Sequence, residues 1–466
     1  MLILGIIILF IIGFLTIHLI SIRFSTSEKA GLAFPVGLGL ETMMMALIDL
    51  SGIPLTATSI LTAGLFLIII LSVPLYLRKE ELMAYYKQPL SFKLSDYNLI
   101  WLFFIALIVY LEYMNFSKCI YFPTYDRDSL AGFDTIGYVI AQEHTLKGLS
   151  LFQADYMPQI HNAGSYIVYA PMVQLSYAFV YLLGAETSKL IPALIYLSFL
   201  IAFYGCMKRV INKTGSAIAV FFMMITPEMF AFSSLSATNV IHAVSASLGI
   251  IYIALWFRNR EQKDLLIGGI WFKYREKKDL YLGALSLGLN IWTRTDGIVF
   301  ILAALFVITI DAIIKKTWKS PMPVLFSFIP ALLWILFEKL ANLYAESIAI
   351  LHPYWDADKA GIIWQYMKLH FMNTTYYGWT FTFLSLSLIL NSWYLIKKRD
   401  NLPILMMILI SSALYMIALY QIDYKWDSIQ NVLAYSAKRF LFCFVPMAWF
   451  YAMSNNWIRQ ILKKLE

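Results

Sequence analysis

The sequence predicts an all-α polytopic membrane protein with about 13 transmembrane helices. Hydrophobic residues make up 60% of its 466 positions and charged residues only 14%, whereas soluble domains carry about 25% charged residues. The apolar residues form runs of about 20 residues, the length that a helix needs to cross a hydrocarbon core about 30 Å thick. We therefore expect residues 1–466 to form a single transmembrane domain.

Thirteen stretches have the length and the apolar character of a span. The first is expected to be retained, because residues 1–20 lack both a basic n-region and a small-residue cleavage site. The predicted spans run near residues 2–21, 32–51, 57–77, 98–117, 188–207, 216–235, 238–257, 279–294, 296–314, 320–343, 378–396, 402–421 and 437–457.

Basic residues predict the orientation of these spans. The net charge of +8 comes from short basic runs between apolar stretches, which is the positive-inside pattern and argues against nucleic acid as a partner. Residues 165–184 are apolar enough to span, but a crossing there would put the later basic loops outside. We interpret them as a Tyr-rich interfacial helix, interrupted by Pro171. The N-terminus is then outside and the C-terminus inside.

This orientation leaves three long outer segments, 118–187, 344–377 and 422–436. The first is an outer loop with interfacial helices, rich in acidic residues. Its residues 134–148 read as a short amphipathic helix with apolar positions at Ile136, Val139, Ile140 and Leu146. A polar loop with helices on the membrane surface suggests a site at the interface.

Several short motifs in and after the first outer loop follow one another in a specific order. They are Asp134-Thr-Ile-Gly-Tyr138, Lys147-Gly148, Tyr169-Ala-Pro171, Gly184, Lys208-Arg209, Thr226-Pro227-Glu228 and the turn Thr293-Arg294-Thr295-Asp296-Gly297. Over about residues 95–320 this order resembles the GT-C superfamily of polyprenyl-phosphate-sugar-dependent glycosyltransferases, which includes protein O-mannosyltransferases and lipid A aminoarabinose transferases.

The resemblance implies transfer of a sugar from a polyprenyl-phosphate-linked donor to a lipid, glycan or protein acceptor at the outer membrane face. The chain departs from the family pattern at two positions. Thr135 stands where the family commonly has Glu after its first-loop Asp, which makes Asp128 a rival of Asp134 as the key acid. Asn239 replaces a second outer-loop Asp, so a divalent metal is not supported by the sequence.

Sugar transfer from a lipid phosphate requires a carboxylate to take the acceptor's proton and cations to stabilise the leaving phosphate. The candidates for the base are Asp126, Asp128 and Asp134, with direct attack inverting the sugar. Alternatively, these residues are solvated loop acids, and Asp134 caps the following helix. Arginine and lysine can stabilise the phosphate without a metal, so no cofactor is expected.

Substrate-binding candidates come from several parts of the chain. Arg294 and Asp296 lie in a tight outer turn, where they either contact phosphate or sugar or form a local ion pair. Lys438 and Arg439 begin the last predicted span on the outer side, against the charge rule, and suit either a polyprenyl phosphate or a lipid headgroup. The remaining candidates are His161 and Tyr138.

Two other functions compete with a glycosyltransferase. An envelope-polysaccharide polymerase or ligase would use lipid-diphosphate glycans and outer-loop arginines. A transporter or flippase would have ionisable residues along a path through several spans. Five acids lie in or near predicted spans, where an acid is expected to have a function: Glu41, Asp49, Glu112, Glu228 and Glu338.

Overall fold

The structure, a computed structural model, describes residues 1–87, 98–152, 169–263, 277–343, 349–399, 401–424 and 427–463. Within these ranges the chain forms 22 α-helices and two short strands. The helices are α1 (Leu2–Ile20), α2 (Thr26–Leu50), α3 (Ala57–Leu77), α4 (Lys79–Tyr86), α5 (Leu99–Tyr121), α6 (Asp134–Glu143), α7 (Met172–Leu182), α8 (Leu190–Met207), α9 (Lys213–Met224), α10 (Pro227–Phe232), α11 (Asn239–Lys263), α12 (Lys278–Thr293), α13 (Ile298–Ile314), α14 (Met322–Leu325), α15 (Ile329–Leu340), α16 (Ala357–Phe371), α17 (Thr374–Tyr377), α18 (Thr380–Lys398), α19 (Leu402–Gln421), α20 (Ile429–Phe442), α21 (Phe444–Ser454) and α22 (Asn456–Leu462). The strands are β1 (Ala349–Leu351) and β2 (Ile422–Tyr424).

Nine helical segments of the described chain are long and apolar enough to cross a membrane. They indicate an integral membrane protein of the all-α class, and each coincides with a predicted span. The other four predicted spans, 216–235, 279–294, 378–396 and 437–457, contain helices that are too short or too polar for this test. The total of 13 spans and the orientation of the termini stay predictions.

Close helix contacts in the bundle depend on glycine. A Cβ on Gly13 of α1 would lie 1.8 Å from the carbonyl oxygen of Ala33, and one on Gly37 of α2 would lie 1.8 Å from the carbonyl oxygen of Leu9. Small residues let helix backbones approach closely, which matters most where lipid provides no hydrophobic driving force between helices. At the centre is α11, in which every residue from 239 to 257 is buried.

Helix α2 joins the two ends of the bundle. At its C-terminus, the Asp49 carboxylate accepts hydrogen bonds from the backbone N–H groups of Leu146 (3.1 Å) and Lys147 (2.8 Å) in the first outer segment. We call the end that carries this segment the loop end. At the N-terminus of α2, Glu28 accepts a hydrogen bond from Arg209 (3.1 Å), which marks the opposite end.

The opposite end is held by a buried cluster of charges. The Arg209 guanidinium donates to both carboxylate oxygens of Asp279, at 2.8 and 2.6 Å, and one of its nitrogens also reaches Glu28. Asn259 donates to Asp279 at 2.8 Å. Both acids are buried, so α2, α8, α11 and α12 meet here around one charge-assisted network.

Proline accounts for two breaks within predicted spans. Pro227 begins α10, so residues 216–235 form two short helices in place of one span. The ring of Pro446 is incompatible with a continued helix around the carbonyl of Phe442, where α20 ends. The prediction that Lys438 and Arg439 begin the last span is therefore wrong, because both lie near the C-terminus of α20.

The first outer segment contains helices α6 and α7, packed on each other. A Cβ on Gly137 would lie 2.6 Å from the Cβ of Tyr177, so glycine permits this contact. The predicted helix 134–148 ends early, at Glu143, because His144 adopts a left-handed conformation (φ 58°) and Asp49 holds the residues after it.

Helix α7 has 11 residues, a length of about 16 Å that is about half of a hydrocarbon core. It is shorter than the nine helical segments of spanning length in the described chain. Its tyrosine at 177 is fully buried in protein and donates to the carbonyl of Ala237 at 3.1 Å. The position of this helix relative to the membrane surface stays a prediction.

The second and third predicted outer segments are joined by an antiparallel β-ribbon. Ala349 pairs with Tyr424, and Leu351 pairs with Ile422. The ribbon continues into α16, which packs against α20. The two outer segments therefore form one structural unit at the loop end.

Candidate functional site at the loop end

The three acids proposed as the base have different surroundings, and those of Asp126 give it a structural role. Its carboxylate accepts hydrogen bonds from the backbone N–H (3.0 Å) and the hydroxyl of Ser129. These bonds fix the turn into a π-helical segment, Ser129–Phe133, that leads directly into α6. Two acceptor positions of Asp126 are thus occupied by the loop's own backbone and side chain.

Asp134 is the first residue of α6 but does not cap it, so the predicted capping alternative is wrong. The Tyr181 hydroxyl donates to Asp134 Oδ1 at 2.6 Å, and the Thr124 hydroxyl donates to Oδ2 at 3.2 Å. Burial, and next the hydrogen bond to this carboxylate, raise the pKa of Tyr181 above its usual range. Tyr181 therefore remains a protonated donor that orients a partly exposed carboxylate.

Asp128 is bound to a cation from the far end of the chain. Its Oδ2 lies 2.5 Å from Nη2 of Arg439, and the two side chains are 22% and 32% exposed. The neighbouring Lys438 places its ammonium 2.6 Å from Oε1 of Glu228 and 4.1 Å from the ring centroid of Tyr376. The two cations of α20 thus bind acids from two different segments.

Arg294 and Asp296 form a bidentate ion pair in the turn between α12 and α13. The distances are 3.1 Å from Nε to Oδ1 and 2.7 Å from Nη2 to Oδ2. This is the local pair that the sequence left as the alternative to a substrate contact. The Asp296 side chain is still 31% exposed, so it remains open on one side.

Aromatic rings connect the first predicted outer segment to the Arg294 turn. Phe133, which follows Asp128 in the first outer segment, packs edge-on against Tyr169 with ring centroids 5.2 Å apart. The guanidinium carbon of Arg294 lies 5.6 Å from the Tyr169 ring centroid, a cation–π distance. The acids of the first loop and the Arg294 turn therefore border the same region of the loop end.

Two predicted site residues remain to be located. Tyr138 is 51% exposed and packs edge-on against Tyr181, with ring centroids 5.5 Å apart, so it lies beside the Asp134 carboxylate. His161 lies outside the described residues.

Sequence reasoning did not assign Tyr181, Tyr169 or His242 to the site. Tyr181 and Tyr169 were interpreted as interfacial aromatic residues, and nothing local to either one indicates its partner. His242 carries a usable signal, because an ionisable residue within a predicted span is a functional candidate. Glu228 was identified by that rule, but its pairing with Lys438 was not.

The β-ribbon carries a second polar group with exposed aromatic residues beside it. Asp423 contacts His352 Nδ1 and Lys359 Nζ, each at 2.6 Å. The hydrogen bond from Lys359 is the main cause that holds the pKa of Asp423 below its usual range. Tyr354 and Trp355, next to this group, are 74% and 79% exposed.

In the part of the chain that the structure describes, no group of three or more His, Cys, Asp or Glu side chains is arranged to hold a metal ion. Comparisons of the sequence and structure with protein-family models, curated proteins and solved structures find no match.

Proposed function

We propose that this protein is a membrane glycosyltransferase that moves a sugar from a polyprenyl-phosphate carrier to an acceptor at the predicted outer face. The proposal rests on three side chains at the loop end of an apolar bundle. They are Asp134, whose carboxylate is oriented by two hydroxyl groups, and the partly exposed arginines Arg294 and Arg439. A base, cations and a lipid surface are what this reaction requires.

Asp134 is the base that the surroundings favour. Within the described residues, no ammonium or guanidinium lies within ion-pair distance of it, whereas Asp128 is paired with Arg439. The guanidinium of Arg439 occupies Oδ2 of Asp128 and competes there with an acceptor hydroxyl. Tyr181 and Thr124 fix the direction of the Asp134 carboxylate through neutral hydroxyl groups.

In the proposed reaction, an acceptor hydroxyl attacks the anomeric carbon of the sugar as its proton passes to Asp134. The bond between that carbon and the phosphate oxygen breaks, and its electron pair leaves with the polyprenyl phosphate. Arg439 and Arg294 stabilise the charge on the leaving phosphate. A single displacement inverts the anomeric configuration.

The distribution of charged side chains favours an enzyme over a transporter. In the described helices, ion pairs gather at the loop end and around Arg209 at the opposite end. A transporter or flippase is expected to have ionisable residues along a path between the two ends. Between the two ends, the Glu41 side chain is buried and has no hydrogen-bond partner in the described chain.

The test is sugar transfer by the purified full chain in lipid nanodiscs, with radiolabelled polyprenyl-monophosphate sugars as donors. Asp134→Asn should lower kcat by about 100-fold or more, the contribution of a general base. Asp128→Asn should retain most of the wild-type kcat, because Asp128 is paired with Arg439 and is not the base. Asp311→Asn, in an ion pair with Lys315 at the opposite end, is the matched control and should behave as wild type.

Two results would contradict the proposal. Wild-type protein that transfers nothing from any monophosphate donor would exclude the reaction, and transfer from lipid-diphosphate glycans would favour the polymerase or ligase. Asp134→Asn protein with the wild-type kcat would exclude Asp134 as the base.

A further inference from the structure

His242, in α11 beneath the Arg294 turn, carries an unused hydrogen-bond donor. The side chain is buried, and its Nε2 makes no hydrogen bond within the described chain. The nearest charged group is the Asp296 carboxylate, whose Oδ1 is 3.7 Å from Nε2. Buried polar groups are rarely left unpaired, because an unmade hydrogen bond costs free energy.

The neighbouring asparagine favours the tautomer of His242 with the proton on Nε2. The side-chain amide nitrogen of Asn290 lies 2.8 Å from the carbonyl oxygen of His242 and 2.9 Å from its Nδ1. Because this nitrogen donates, Nδ1 accepts, and a neutral imidazole must hold its proton on Nε2. The unused N–H therefore faces Asp296.

Asp296 is held by Arg294 through Nε and Nη2, a fork of donors that can also bind a phosphate. Carboxylates and phosphates compete for the same planar fork of donors on a guanidinium. If Arg294 turns to a phosphate, the Asp296 carboxylate loses both of its bonds at once. Oδ1 then needs to move by less than about 1 Å to reach a normal hydrogen-bond length from Nε2 of His242.

We infer that His242 is a positioning residue that takes over Asp296 when Arg294 binds the phosphate of a lipid carrier. The inference rests on the proposed function for the class of ligand, a phosphate monoester on an isoprenoid chain. His242 lowers the cost of the exchange because its N–H replaces one of the two hydrogen bonds that Asp296 gives up. The N–H that makes no hydrogen bond in this arrangement is then the partner of Asp296 when Arg294 binds phosphate.

The test measures binding, with farnesyl phosphate as the probe and farnesol as the probe without phosphate. Dissociation constants are measured for the full chain in detergent by titration calorimetry. His242→Phe, which removes the donor, should weaken farnesyl phosphate binding about tenfold, equivalent to about 1.4 kcal/mol, and leave farnesol binding unchanged. His242→Gln, which retains an N–H donor, should bind within about threefold of wild type.

A double-mutant cycle with Asp296→Asn separates positioning from packing. Asp296→Asn frees Arg294 from its competitor, so farnesyl phosphate should bind at least as tightly as to wild type. Adding His242→Phe to this variant should then have no further effect. His18→Phe is the matched control, because His18 is also buried but lies at the opposite end.

The inference is overturned if His242→Phe binds farnesyl phosphate as wild type does, or loses farnesol equally, or weakens binding by the same factor in the Asp296→Asn background. It is also overturned if wild-type protein does not bind farnesyl phosphate. Wild-type protein that shows the expected binding pattern but transfers no sugar would support this inference and overturn the proposed function. Sugar transfer with an unchanged His242→Phe affinity would do the reverse.

Discussion

Replacing Arg209 by methionine should destabilise the protein strongly. This substitution keeps most of the side-chain length but removes the guanidinium that binds Glu28 and Asp279. The two carboxylates are only 3% and 2% exposed. They would remain charged and buried in a low-dielectric environment without a cation. This costs much more free energy of folding than replacing both partners of an ion pair by uncharged residues.

The size of the effect follows from this burial. Removing one partner of a buried ion pair costs about 3–5 kcal/mol. By the size scaling of unfolding entropy, this corresponds to roughly 3–5 °C in the apparent Tm of a chain this long. The exposed pair Arg78–Glu81, whose side chains are 36% and 48% exposed, provides a matched control. Arg78→Met should lower the apparent Tm by less than about 2 °C.

A thiol-reactive fluorescent dye provides the assay. Cys119, Cys206 and Cys443 are free and buried, so the dye reacts as the protein unfolds during heating in detergent. Adding Glu28→Gln and Asp279→Asn to Arg209→Met should recover part of the lost Tm, because no uncompensated charge remains. An Arg209→Met protein no less stable than Arg78→Met, or a triple variant with no recovery, would refute this explanation.

Three further outcomes are expected. Gly13→Ala should abolish the monodisperse peak in size-exclusion chromatography, because the added Cβ has no room. Gly361→Ala, whose Cβ meets open space, should keep this peak. Equal behaviour of the two variants would contradict the packing of α1 on α2. A hydrogen bond from a neighbouring lysine lowers the pKa of Asp423 in the folded protein. This bond therefore stabilises the ribbon fully above about pH 4, the pKa of Asp in the unfolded chain. The stabilisation is lost as the pH falls through the lower pKa of the folded protein. Hydrogen exchange in β1 and β2, corrected for intrinsic rates, should therefore accelerate only below about pH 4, and acceleration at pH 6 would argue against it. Tyr181→Phe should lower the kcat for sugar transfer about tenfold, which corresponds to the loss of one hydrogen bond to a charged group. Tyr110→Phe, at an exposed position on α5, is the control. Equal rates for the two variants would remove Tyr181 from the site.

Hydropathy predicts the long helices well because their apolar length is a local property of the chain. Nine of the predicted spans coincide with helices of spanning length. The helix breaks are harder to foresee, although Pro227 and Pro446 indicate two of them. The early end of α6 depends on Asp49, a residue far away in sequence, so no pattern within residues 134–148 reveals it.

The acids and bases of the candidate site were predicted individually, but their partners were not. Arg439 and Asp128 come from opposite parts of the chain, and their contact requires the whole bundle to form. The choice between Asp128 and Asp134 depends on this contact, because the pairing distinguishes two otherwise similar loop acids. Helix and span patterns alone leave the two residues equivalent.

The β-ribbon has a consequence for the solvent-facing side of the loop end. Because β1 pairs with β2 and α16 packs on α20, Trp355 and Lys438 belong to one continuous body. A large molecule that grips the tryptophan would also restrain the helix bearing Lys438 and Arg439. Binding of an acceptor at Trp355, away from the reacting atoms, would thereby restrict the motion of the two cations.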